Sequence, residues 1–282
     1  VATSSHVLAR IHRPPAQQRY HGMRGVAQLL LARGEPSSAI LGLLEEASKA
    51  LSESRQLGDR SSQHFEYAVE TLLRRNRLAP STALLEEADA LLEQAGLASR
   101  RLAYNAGDVS LTRGVQAMGE GRHADALAQY QSAAAAYASG LRLPSRAFDM
   151  ADGDLRAKRG YARLRAHYAK SKLSIDTSSD ELNEIVQDLE SGEADAFSGL
   201  SPLPEALLWR AKCFRSSGDL GRAVQDVRRA IELAPGDTQV PEAADVLARA
   251  RCELAECEFE SALAADETLL VERALRELLT AS

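Results

Sequence analysis

Cysteine is scarce in this chain, and so are lysine, tryptophan and aromatic residues in general. Three cysteines, Cys213, Cys252 and Cys257, make an odd count in 282 residues. That argues against a disulfide framework and fits a reducing cytoplasm. Cys252 and Cys257 would stand about 140° apart on a helix, too far round to share a metal. Aromatic residues reach only 5% against 45% hydrophobic. Ala and Leu carry the apolar content, which favours closely spaced helices over sheets. No apolar run approaches the roughly 18 residues of a membrane span, and no signal-peptide pattern is visible.

Catalytic signatures are missing too. The chain has no G-x-x-x-x-G-K-[ST] loop, no H-E-x-x-H and no G-x-S-x-G, so consecutive amides for a phosphate or a preset nucleophile are not in sight. Asp149, Asp152 and Asp154 cluster as DMADGD. A calcium loop starting at Asp152 would place Arg156 fifth and Arg163 twelfth, where oxygen ligands are needed. The cluster reads instead as a helix start or a solvated surface. His6, His12 and His21 have no carboxylate or Cys among them, and no metal site is expected there. The sequence therefore reads as non-enzymatic, with no cofactor. An all-α enzyme with an unfamiliar site stays open.

What is present is helical periodicity. Apolar residues recur at three- and four-residue spacing almost throughout. About twelve helices in six antiparallel pairs are expected: 16–33 with 37–55, 60–76 with 81–95, 98–119 with 122–139, 145–173 with 179–191, 204–217 with 220–234, and 241–258 with 266–280. The first turn falls at Gly34-Glu35-Pro36. Ser81 and one of Ser178, Ser179 or Asp180 suit N-caps, and Gly96 suits a stop. FSGLSPLP at 197–204 is the best loop or hinge candidate. The first 14 residues read as a basic arm and 15–282 as one helical repeat domain.

The clearest unit is 204–237, PEALLWRAKCFRSSGDLGRAVQDVRRAIELAPGD. Leu207, Ala211 and Phe214 share one helix face; Ala223, Val227 and Ala230 share another. Small Ala211 and Ala223 let the backbones approach, Gly218 supplies the turn, and Pro235 ends the unit. This arrangement resembles the tetratricopeptide repeat, a 34-residue helix–turn–helix unit. Ala211, Ala223, Ala230 and Pro235 match that family's pattern. Leu207 stands where the family favours Trp, and Arg210 replaces a usual Leu. A weaker copy at 107–140 uses Gly114, Ala126 and Ala133 as small positions, Tyr130 as the bulky one and Gly121 as the turn. A third at 20–53 uses Met23, Val26, Ala27, Leu30, Gly34, Ala39 and Leu43, with Glu46 breaking its last small position. Turn glycines Gly34, Gly121 and Gly218 are 87 and 97 residues apart, so the repeats would be elongated and irregular. The resemblance implies an all-α, right-handed superhelical solenoid of degenerate bacterial type. A generic α-solenoid and a compact helical bundle stay open. Arg supplies 29 of the 34 basic residues, which with the Ala excess hints at a GC-rich bacterial genome.

Charge is patterned as well. The formal net charge of −6 argues against a general nucleic-acid binder. Residues 155–172 nevertheless hold seven Lys or Arg and no acid. Arg156, Arg159, Arg163, His167 and Lys170 follow helical spacing and form one stripe. Residues 173–209 then hold nine acids and no base. Glu181, Glu184 and Asp188 form a stripe beside an apolar face of Leu182, Ile185, Val186 and Leu189. Either the two helices pair and neutralise each other, or the basic stripe lines a groove for an acidic peptide or domain.

The resemblance implies partner binding along the inner face of the first helices, with Leu208 and Trp209 as candidate apolar anchors. Groove-facing candidates are Glu205, Leu208, Lys212 and Ser216 in one unit and Asp108, Leu111 and Gln116 in another. These do not reproduce the carboxylate clamp of the family. The expected function is a non-enzymatic scaffold or regulatory module for a protein or peptide, controlling an associated effector. The alternative is a nucleic-acid binder using the 155–172 stripe and the N-terminal 34 residues, which hold five Arg and no acid.

Overall fold

The computed structural model describes residues 14–31, 37–145, 150–176, 178–192, 201–234, 241–264 and Arg276. Among the described residues every regular element is a helix. We number eleven: α1 Pro14–Leu31, α2 Ser37–Gln56, α3 Ser62–Leu78, α4 Thr82–Ala95, α5 Arg100–Gly119, α6 His123–Arg142, α7 Asp152–Lys172, α8 Ser179–Glu190, α9 Leu203–Ser216, α10 Leu220–Leu233 and α11 Pro241–Ala264. None is long and apolar enough to cross a membrane. The basic arm, His6, His12, the Gly34-Glu35-Pro36 turn, Pro235 and most of 266–280 lie outside the described residues.

Contacts divide the chain into two compact units. One takes in residues up to 120 with 135–150, the other 121–134 with 151 onward, and the division falls within α6. In the first unit α1 packs on α2, α2 on α3, α3 on α4, and α5 on both α3 and α4. In the second, α7 packs on α8, α8 on α9, α9 on α10, and α11 on both α9 and α10.

Local chemistry explains the boundaries. The Ser61 and Ser99 hydroxyls cap α3 and α5 by accepting from the amides of His64 and Leu102. Ser178 does the same for α8 from Glu181, satisfying amides that helix starts leave unpaired. α7 begins at Asp152 rather than near 145. Asp152 and Asp154 occupy its first turn, where carboxylates complement the helix dipole. Gly121 and Gly218 sit at φ 74° and 82°, left-handed values that favour glycine. α11 runs six residues beyond the expected end at 258, to Ala264.

The second unit's core is built on the faces read from the spacing. Leu207, Ala211, Phe214, Ala223, Val227 and Ala230 are all buried, as are Leu182, Ile185, Val186 and Leu189. Gly114, Ala126, Tyr130 and Ala133 are buried too. The first hairpin is a correction. Met23 is 73% exposed, Ala27 and Ala39 are exposed, and Val26 and Leu43 are half-buried. Its core is Leu29, Leu44 and Ala47, with Gly25 against Leu51. The physical reason is that α1 turns a glycine and the polar Gln28 inward; Gln28 donates to Glu46. An apolar count therefore picks the wrong face.

Candidate functional site

Two helices of the second unit, α7 and α9, share a concavity. A cleft of about 590 Å³ is lined by His167 and Ser171 of α7, the following loop, and Trp209, Lys212, Cys213 and Ser216 of α9. The α9 residues fall at positions i, i+3, i+4 and i+7, so one helix face presents them together. His167 and Ser171 stack one turn apart on α7 in the same way.

Trp209 is the only tryptophan in the chain and organises this surface. The His167 ring stands edge-on to it, with centroids 4.6 Å apart and planes at 76°. The Lys212 ammonium lies 5.4 Å from the indole centroid, within cation–π range. His167 is 5% exposed, and among the described residues neither ring nitrogen makes a hydrogen bond. Burial holds its imidazole below the ordinary pKa; Glu181 opposes that shift and Lys170 adds to it. The ring is therefore neutral near pH 7, with one donor and one acceptor unused. Burial also raises the Cys213 thiol, which keeps it uncharged.

The loop after α7 completes the cleft. Ser174 adopts φ 56°, unusual for a residue with a side chain. The Ile175 amide donates to the Lys170 carbonyl at 3.0 Å. This turn leaves Ile175 45% exposed beside Asp176, which also lines the cleft.

The expected basic stripe is resolved into ion pairs. Arg159 binds Asp188 through two contacts, Nε to Oδ2 at 2.7 Å and Nη2 to Oδ1 at 2.5 Å. Arg163 meets Glu184 at 2.9 Å, and Lys170 meets Glu181 at 2.7 Å. α7 and α8 thus neutralise each other across their hairpin. Only Arg156 of the stripe is exposed. His167, expected as a member of the basic stripe, is corrected to a buried neutral ring.

Leu208 is also corrected. It is 1% exposed and packs with Phe214, Val227, Ala250 and Cys257. Because α9 is flanked by α8, α10 and α11, its buried arc is wider than a two-helix hairpin requires. Trp209, half-buried, remains at the cleft. Asp108 and Leu111 likewise turn inward, at 5% and 8% exposed.

Asp108 belongs to a smaller cleft of about 210 Å³ in the first unit, with Glu70, Arg74, Arg77, Arg101 and Tyr104. Its charges are largely matched internally. Arg77 pairs with Asp108 at 3.2 Å, Arg74 with Glu70 at 2.9 Å, and the Tyr137 hydroxyl donates to Asp108 at 2.7 Å. Burial, then Asp108, pushes the Tyr137 phenol well above its ordinary pKa.

The sequence reading found Trp209 and Lys212 but missed Ser171, the Ser174–Asp176 turn and Cys213 as parts of one surface. The i, i+3, i+4, i+7 series from Trp209 was the available signal for Cys213; nothing in the spacing marked Ser171 or the turn. Among the described residues, no three His, Cys, Asp or Glu side chains converge as a metal would require. No protein-family model matches the chain, and no curated protein matches it significantly.

Proposed function

We propose that this chain is a non-enzymatic interaction module of stacked helical hairpins, related in architecture to tetratricopeptide arrays. It holds a protein or peptide partner along the cleft between α7 and α9. The observation that carries this reading is the unspent binding capacity around Trp209. A large aromatic face, an unbonded neutral imidazole and a lysine meet in one open concavity. Aromatic residues in partly desolvated pockets are the usual anchors of interfaces.

The neighbour-to-neighbour packing within each unit supports a repeat array, whose first helices characteristically present a continuous binding face. The partner reading gains over nucleic acid because Arg159, Arg163 and Lys170 are engaged by Asp188, Glu184 and Glu181. Little uncompensated charge remains there for a phosphate backbone. The step to control of an associated effector rests on analogy of fold.

Quantitative affinity capture from the native host tests the reading. Wild-type chain is compared with Trp209→Ala and with Glu232→Lys, an exposed position on α10. The expected result is a protein set lost with Trp209→Ala and retained with Glu232→Lys. An identical set from all three chains would refute the cleft as the docking surface.

A further inference from the structure

We propose that the Trp209 cleft recognises an internal segment of a partner polypeptide in which a carboxylate side chain adjoins an apolar one. The inference rests on the docking reading above and specifies the ligand.

Three groups in the cleft have unfilled chemistry, and each asks for a different part of such a segment. Lys212 makes no ion pair among the described residues, whereas the other basic residues of α9 are saturated. Arg210 binds Asp226 at 2.6 and 2.7 Å. Arg215 is shared by Glu253, Glu256 and Glu260 at 2.6–2.8 Å. The open cation on α9 is thus the one in the cleft, and a carboxylate is its natural complement.

His167 asks for a peptide group. A buried polar side chain without a partner is costly, and nearly all such groups in folded proteins are bonded. Both nitrogens are shielded from solvent in the free chain, so the neutral ring bonds a peptide group of the ligand only as the ligand's entry shifts its contact with Trp209.

Ile175 and the exposed part of the half-buried indole ask for an apolar side chain. Ile175 is held outward by the turn through Ser174. Asp176, on the same turn, sets polarity: it repels a ligand carboxylate from the loop side and leaves Lys212 as its seat. Cys213 adds no charge. The hydroxyls of Ser171 and Ser216 donate to the carbonyls of Tyr168 and Lys212, which leaves them acceptors rather than a ready-made anion cage. A single cation beside an aspartate suits one carboxylate and does not suit a chain of phosphates.

The test is selection of random seven-residue segments, displayed with flanking scaffold at both ends, on the full chain. Enriched segments are then made as acetylated, amidated peptides and titrated against Trp209 emission. Because Trp209 is the only tryptophan, its signal reports this cleft alone. The expected outcome is enrichment of Asp or Glu beside Leu, Ile or Phe. Binding should fall about tenfold on Lys212→Glu, and as much on Asp→Asn in the peptide, as loss of one charged hydrogen bond implies. Lys212→Arg should retain it.

Peptides that shift Trp209 without acid preference, or that bind Lys212→Glu equally well, overturn the ligand class and leave the docking reading standing. If no selected segment moves Trp209, both fall. Displacement of the peptide by a 20-nucleotide single-stranded RNA would reassign the cleft to nucleic acid.

Discussion

His167 and Trp209 meet edge to face across the α7–α9 cleft, with ring centroids 4.6 Å apart. Neutral imidazole suits this contact, because the ring is buried and both nitrogens lack hydrogen bonds among the described residues. Protonation would place an unsolvated charge there.

That gives a pH prediction with a definite sign. Burial depresses the pKa of His167 and of His64, the latter despite Asp59. Below about pH 6.5 the unfolded chain takes up protons that the folded chain resists. The stabilising contribution of both residues is complete above that pH and is lost as pH falls through their lowered folded values. Asp176, Lys212, Lys170, Glu181 and Cys213 surround or influence His167, and Glu181 softens its effect. Thermal melting at pH 7.5 and 5.5 should show a fall in Tm, made smaller by His167→Gln. An equal fall in both chains would contradict the assignment.

Arg210 and Asp226 clamp α9 to α10 through paired contacts, with side chains only 17% and 10% exposed. Asp226→Ala should cost about 3 kcal/mol, because it strands a largely buried guanidinium. Arg210→Met combined with Asp226→Ala should recover part of that loss. Chemical denaturation of the single and double variants measures it, and simple additivity would show that the pair is not coupled.

Gly160 permits the close approach of α7 and α8. An added Cβ would lie 2.9 Å from the Asp188 Cβ and 3.0 Å from Leu189 Cγ. Gly160→Ala should therefore destabilise by about 1–3 kcal/mol. Gly42, exposed within α2, has nothing within 4 Å of that position, and Gly42→Ala should stabilise by about 1 kcal/mol. Denaturation midpoints of the two variants should move in opposite directions.

Cys257 is buried against α9 and α10, and burial, followed by Glu253, pushes its thiol up to about 11. At pH 8 its thiolate fraction is very small. Iodoacetamide labelling followed by peptide mass mapping should find Cys257 modified slowest of the three cysteines in the native chain. Denaturation should remove the difference. Rapid native modification would mean that the α9–α11 packing is wrong.

The helical class and the hairpin α9–α10 were legible because Ala211, Ala223, Val227 and Ala230 obey one period and small residues mark one contact. α1 was legible as a helix but its inward face was not, because that face includes Gly25 and Gln28 while Met23 faces solvent. Leu208 misled because burial depends on α11, whose Ala250 and Cys257 reach it from beyond the hairpin. The basic stripe was visible, but its neutralisation needed the register that sets Asp188 opposite Arg159. His167 followed the same spacing as its basic neighbours, so spacing alone could not separate the buried ring from the surface cations.

The most direct measurement of the central claim is photo-crosslinking in the native host. A benzophenone amino acid replaces Ser216, an exposed residue lining the cleft, in one chain and Glu232 in another. The account predicts a discrete adduct with one partner from position 216 and none from position 232. An adduct from position 232 alone, or none from either, would contradict it.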